Sequence, residues 1–373
     1  MKRVSVFLVF LLSLALLVSC AAPADSPPPS EPSSDAGAQV PEATDTDTGS
    51  PPQDQPDDTD KQYVIGVSMA TLGSSYWEAC KTGLDNTAEE LGNVELSYLV
   101  AGDDANMQNQ QIATFISQGV DAIICVPYDT VAILTAIEEC NAAGIPFIFC
   151  DRPIEGTANA APDYGVATDN YALTRLGAQW LVDRAKAAGE VIYAVEFMGA
   201  LSDEGAVLRS NAYNDVAEAN PDVLTIVTSV PTEWDFAVPY TALKDAYAAN
   251  PEINAILGAS DAFFPACANA LVELGKWYKV DEEGHVPFIG VDGEPYAIRA
   301  LEQGWMLASM PQPIMITAKE CVLAAITLAD GGSMGEDYKL LPGFVLTLEN
   351  FDELGSQTYG YANKDEHDFD NLS

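Results

Sequence analysis

Ten short polar segments hold the side chains with which this chain could do chemistry: "TLGSSYW", "AGDDAN", "PYDT", "CDRPIE", "TDN", "GALSDEG", "PTEWD", "GASDAF", "VDGEP" and "PQP". They are rich in Asp, Arg, Asn, Gln and Trp, and the first sets Tyr76 and Trp77 side by side. Rings offer flat apolar faces for stacking, carboxylates accept hydrogen bonds, and guanidinium and amide groups donate them, so the chemistry is a non-covalent grip on a small polar ligand. The segments contain neither a GxGxxG nor a GxxxxGK[ST] fingerprint, which removes support for dinucleotide and nucleoside triphosphate sites. The two histidines, His285 and His367, lie near no cysteine pair or carboxylate cluster with ligand spacing. A zinc enzyme or a histidine-based triad is therefore disfavoured, and no metal or cofactor is expected.

Each segment follows an apolar run that reads as a strand. In the first half these are "YVIGVSM", "VELSYLVA", "DAIICVPY", "PFIFCDRP" and "YGVATDN", with helical patterns around 76–91, 106–118 and 131–143 between them. After a longer helical stretch near 171–187 the rhythm restarts with "VIYAVEFMG", "LTIVTSVP", "INAILGAS", "VPFIGVDG" and "MLASMPQ". Repeated strand–helix units call for a parallel sheet covered on both faces, and the repetition predicts two similar doubly wound α/β domains. In such sheets the ligand crevice lies beyond the carboxyl ends of the strands, where helix N-termini present unpaired N–H groups. The polar segments all fall there. Asp261 and Asp169 read as helix caps, and Pro295 as a first-turn residue.

The chain of 373 residues is long enough for two full cores, and 48% apolar content is that of a globular protein. Against 56 Asp and Glu there are only 16 Lys and Arg, a formal charge of −40, which repels nucleic acid and anionic lipid. Lys2 and Arg3 precede an apolar run from Val4 to Val18, shorter than the ~20 residues that span a bilayer, so residues 1–20 read as an export signal. Residues 21–62 are acidic, rich in Pro and almost free of large apolar side chains, which predicts a flexible tether. Besides Cys20 there are Cys80, Cys125, Cys140, Cys150, Cys267 and Cys321, each within an apolar pattern where a free thiol packs as a small hydrophobe. If a bridge forms, Cys125 with Cys150 on neighbouring strands is the first to check.

Two resemblances add to this reading. "LVSC", ending at Cys20, resembles the lipobox of bacterial lipoproteins and implies a lipid anchor on that cysteine as the sole membrane contact. Through "DRP" after the fourth strand, "TDN" after the fifth, "GVDGEP" late in the second half and the aromatic pair after "TL", residues 63 to about 350 resemble the type I periplasmic sugar-binding proteins of ABC importers, nearest the ribose-binding branch. That resemblance implies rings from Tyr76 and Trp77 on one sugar face and Trp234 on the other. It implies Asp151 and Arg152 on adjacent hydroxyls, Arg209 and Asp292 from the second domain, Gln312 at the hinge, and contacts from Ser74 and Ser260, where relatives often carry amides. It also implies three crossings between domains, near Asp169, near Gln312 and near 342–345, so that 63–168 plus 313–342 form one lobe and 169–312 plus 343–373 the other.

A sugar has an apolar C–H face and a rim of hydroxyls, which flat rings and edge-on polar groups suit. Each hydroxyl buried without a partner costs ~1–3 kcal/mol, which is also what rejects epimers. With two Asp against two Arg the pocket is expected to be about neutral and its ligand an uncharged monosaccharide or polyol. Hinge closure would then hand the ligand to ABC permease subunits, the protein acting as a monomer and not as an enzyme. The rival outputs are a receptor feeding a sensor kinase or chemoreceptor, and an exported glycosidase, which would need two carboxylates across the scissile bond.

Overall fold

A computed structural model describes residues 61–372. The export signal, the lipid site at Cys20 and all but the end of the tether lie outside these residues. Among the described residues no helix is long and apolar enough to cross a membrane.

Five strands, β1 Tyr63–Met69, β2 Val94–Val100, β3 Ala122–Val126, β4 Phe147–Cys150 and β5 Tyr164–Thr168, alternate with helices α1 Ser75–Leu91, α2 Ala105–Gln118 and α3 Leu134–Ala143. Helix α4, Asn170–Ala188, leads into a second series: β6 Ile192–Met198, α5 Glu204–Ala219, β7 Leu224–Pro231, α6 Val238–Ala249, β8 Ala255–Gly258, α7 Phe264–Glu273, β9 Phe288–Asp292, α8 Pro295–Glu302 and β10 Ala308–Pro311. Then come α9 Ile314–Ala329, β11 Lys339–Leu341 and β12 Leu346–Thr347. The sheets run β11-β5-β4-β3-β1-β2 and β12-β10-β9-β8-β6-β7, parallel except where β12 meets β10. Two α/β lobes of the same design result, as the repeated rhythm predicts. The chain passes between the sheets three times: from β5 to β6, from β10 to β11, and from β11 to β12. Asp169 N–H donates to the Leu341 carbonyl at 3.0 Å, tying the first crossing to the third.

Period-two alternation sorts each strand between two cores. In the first lobe Ile124, Val126, Ile148 and Cys150 face α1 and α9, whereas Ile123, Cys125, Phe147 and Phe149 face α2 and α3. The pair named to check first is thereby ruled out as a bridge, and the expected free thiols stand. Cys125 and Cys150 point to opposite faces of one sheet, and the neighbour of Cys150 is Cys80, with sulfurs 3.7 Å apart. All six cysteines in the described residues are buried free thiols. In the second lobe Val195, Phe197, Ile256 and Phe288 face α7 and α8, while Ala194, Leu257, Ile289 and Val291 face α4 and α5.

The polar C-terminal segment, which has no legible periodicity, belongs to the second lobe. Phe351 and Phe369 enter its core, Lys364 Nζ pairs with Glu302 Oε1 at 3.0 Å, and Trp305 Nε1 donates to Asp370 at 3.0 Å.

Candidate ligand cleft

Residues at the carboxyl ends of β1 and β4 face residues at the ends of β6, β8, β9 and β10. On the first lobe Ser74 caps α1: its side chain accepts from Trp77 N–H at 3.5 Å, so the structure gives it a helix-starting role. Directly after it, Tyr76 and Trp77 meet edge to face at 5.0 Å, and both are buried. The Tyr76 hydroxyl donates to Asp151 Oδ1 at 2.5 Å, and the Arg152 guanidinium lies over the Trp77 ring at 5.3 Å. Arg152 is held by the Pro127 and Tyr128 carbonyls at 3.1 and 3.2 Å.

On the second lobe Arg209 is buried and fixed on three sides. Its Nε donates to Asn170 Oδ1 at 2.9 Å, its Nη1 donates to the Ala259 carbonyl at 2.6 Å, and Asp292 Oδ1 lies 3.6 Å away. Asp292 also accepts from Ser260 Oγ at 2.5 Å and from Gln312 Nε2 at 2.6 Å, which leaves the buried Gln312 Oε1 without a protein partner. Ser260 therefore reaches the cleft by orienting Asp292. It also caps the turn at 261–263, accepting from Ala262 N–H at 3.0 Å. This corrects the reading of Asp261 as that cap. Asp261 is fully buried beneath the cleft, accepting from Gly293 N–H at 2.8 Å and Ser309 Oγ at 2.6 Å. Asp169 does cap a helix, accepting from Ala172 N–H at 2.9 Å at the start of α4.

Three of these residues hold backbone conformations that side chains rarely adopt: Asp151 with φ of 75°, Trp234 with φ of 60° and Asp292 with φ of 121°. Trp234 is kept there by its surroundings. Its ring stacks on Phe263 at 6.1 Å, its Nε1 donates to Asp203 Oδ2 at 3.2 Å, and it fills space that only a glycine at 199 leaves, since a Cβ there would meet the ring at 2.3 Å.

Direct contacts join the lobes. Arg152 Nη2 lies 3.5 Å from Asp203 Oδ2, and Ser75 Oγ donates to Glu294 across the cleft. Neither acid was singled out in the sequence, although "GALSDEG" and "GVDGEP" contain them; Asp203 begins α5 as a cap and Glu294 begins α8. Asn170, in "TDN", and Tyr359, in the unreadable tail, complete the set. The pocket is consequently not balanced as two acids and two bases. Asp203 and Glu294 add carboxylates to Asp151 and Asp292, with only Arg152 and Arg209 opposing them.

Burial pushes the Asp151 carboxyl up, opposed by the Tyr76 hydroxyl and by Arg152 and Arg209; burial likewise raises Asp292, opposed chiefly by Arg209. Glu294 is pushed up to about 7, first by burial and then by the Asp292 charge. Its folded value exceeds the ordinary 4.5, so its stabilising contribution is full below about 4.5 and is lost as pH rises through about 7. Thermal melts across that window should show wild type losing stability and Glu294→Gln losing distinctly less; parallel curves would dismiss Glu294 as the source.

Comparisons with known proteins come to the same region of protein space. Residues 65–333 match the family model described as periplasmic binding protein domain. The chain is 25% identical over 271 residues to the ribose import binding protein RbsB of Bacillus subtilis, covering 73% of this chain and 83% of that protein. It is 29% identical over 278 residues to a D-apiose import binding protein of Paraburkholderia graminis, covering 74% and 85%. Among solved structures, the binding protein of the arabinose ABC transporter from Shewanella sp. ANA-3, bound to L-arabinofuranose, superposes with a TM-score of 0.73 at 22% identity, over 82% of this chain and 99% of that one.

Proposed function

The chain belongs to the periplasmic binding protein domain family, and on that footing we propose that it captures an uncharged sugar or polyol outside the cell and delivers it to an ABC importer. What supports this reading is one arrangement: Tyr76, Trp77, Asp151 and Arg152 on one lobe facing Trp234, Arg209, Asp292 and Gln312 on the other, with interlobe contacts already made around them. Rings, acids and guanidinium forks at the ends of two sheets match a ligand with apolar faces and a hydroxyl rim. The excess of carboxylate over guanidinium asks the ligand for hydrogen-bond donors and repels negative charge, so sugar phosphates and uronates are poor candidates.

The mechanism is closure. Each lobe carries half the contacts, so ligand stabilises the closed form, and the three crossings, with Asp169 and Gln312 at two of them, are the hinge. The lobes correspond to 63–168 with 313–342 and to 169–312 with 343–373. Lipid on Cys20 would hold the protein at the membrane, the acidic tether of 21–62 giving it reach, and permease subunits would read the closed lobes. No turnover is expected, because the cleft acids are engaged in holding donors in place.

Calorimetry across D-ribose, D-apiose, L-arabinose, D-allose, xylitol and myo-inositol, with ribose 5-phosphate and glucuronate as charged controls, tests this. At least one neutral compound should bind and the charged ones should not; silence from every neutral sugar and polyol overturns the reading, and release of product from aryl glycosides would replace it with an enzyme. For a binding sugar, Trp234→Ala should weaken affinity about tenfold or more, since truncating an aromatic anchor that the ligand would cover costs about 2 kcal/mol or above. An unchanged constant would remove Trp234 from the site.

A further inference from the structure

The C-terminal segment does more than finish the second lobe. It is fastened on either side of residue 359, by Phe351 and Phe369 in the second core and by Lys364 on Glu302. Between these anchors it runs along the start of α8. There Gly360 lies so close to the Asp292–Glu294 turn that a Cβ would stand 2.3 Å from the Gly293 carbonyl oxygen and 2.6 Å from the Glu294 carbonyl carbon. The preceding residue, Tyr359, packs against the core of the opposite lobe, its ring meeting that of Tyr76 edge to face at 5.9 Å. Its hydroxyl is buried beside the Glu294 carboxyl, which Ser75 of the first lobe also contacts.

We propose that residues 355–361 form a third wall of the cleft, in which Tyr359 is a positioning residue: with Gly360 it fixes the turn that carries Asp292 and Glu294, and when the lobes close it latches onto Tyr76 while Glu294 latches onto Ser75. This inference rests on the closure reading above but does not need the ligand to be a sugar. The strap travels with the second lobe; its Tyr361 ring packs on Phe351 there, whereas its Tyr359 ring is spent on the first lobe, an arrangement that contributes to the closed form and is lost in an open one. Glu294 is the acid the strap brings to this contact. Around it are Ser75 from α1, Asp292 at the end of β9, Asp261 in the turn after β8, Tyr296 from α8 and Tyr359 itself.

The test is the interlobe distance, read by electron–electron resonance between spin labels on Glu139→Cys of α3 and Asp245→Cys of α6, both exposed, in a Cys20→Ser background, the cysteines among the described residues being buried. It is measured in ligand-free protein and with each of the six neutral compounds named above. Wild type should populate a short distance in at least one sample. Tyr359→Ala and Gly360→Ala should move that population to the long distance and, where a compound binds, speed its release about tenfold; Tyr359→Phe, which keeps the ring, should retain most of the closed form. Should the strap variants fold poorly by circular dichroism, Ser75→Ala carries the test, because it alters the latch from the other lobe and leaves the strap intact. Unchanged distance populations in Ser75→Ala and in the folded strap variants overturn the proposal, as does a wild type that never shows the short distance. A wild type that closes while binding none of the compounds would count against the sugar reading and leave the latch standing.

Discussion

Arg209→Ala should destabilise the second lobe by about 3–5 kcal/mol, the range for removing one partner of a buried ion pair, and should abolish measurable ligand capture. The guanidinium ties Asn170 at the start of α4, the Ala259 carbonyl just after β8 and Asp292 at the end of β9. Without it, Asp292 keeps only Ser260 and Gln312 against its burial, and the carbonyl loses its donor. Arg209→Lys separates charge from geometry. A lysine restores a cation but not the planar fork that reaches Asn170 and Ala259 at once, so stability should recover in part and binding should not. Thermal melts and calorimetry on both variants check this, and full binding by either would place Arg209 outside the cleft machinery.

Asp151→Asn should act in the opposite sense on stability. Asparagine tolerates the left-handed backbone at φ of 75° and still accepts from Tyr76, so the local fold persists. It removes a buried charge whose carboxyl is raised by burial, a group that costs stability as pH climbs through its folded value. Melting temperature should therefore hold or rise above neutral pH, while affinity falls about 10- to 100-fold with the loss of charged hydrogen bonds worth ~1.5–3 kcal/mol. A variant that binds as tightly as wild type would show that Asp151 serves only Tyr76 and Arg152.

The fold was legible because its central strands are buried on both faces and so read as continuous apolar runs, and because the polar segments between them recur at matching places in both halves. Of the four edge strands, β2 and β7 were legible and the other two were not: β11 has three residues and β12 two, too short for any period, and each exists by pairing with a neighbour. The residues that the structure gathers in the cleft stood out where type and position agreed, as with Asp151 after β4 and Asp292 at the end of β9. Asp203 and Glu294 did not stand out, because an acid at the start of a helix is adequately explained as a cap or a first-turn charge. The bridge between Cys125 and Cys150 fails on register, which decides the face: Cys125 pairs with Phe149, so Cys150, one residue on, points to the other side of the sheet. Tyr359 carried no local signal at all; its role comes from where residues 351–369 are pinned.

The order of the chain through the two sheets has a consequence for its synthesis. Helix α9, which covers one face of the first sheet with Ala318, Cys321, Val322 and Ala325, and β11, which extends that sheet, both lie beyond residue 313. A polypeptide threaded outward from its N-terminus thus exposes an unfinished, apolar sheet until almost the whole length has emerged. The −40 charge of the chain is then protective, since nascent copies waiting for their last segments repel one another and resist clumping.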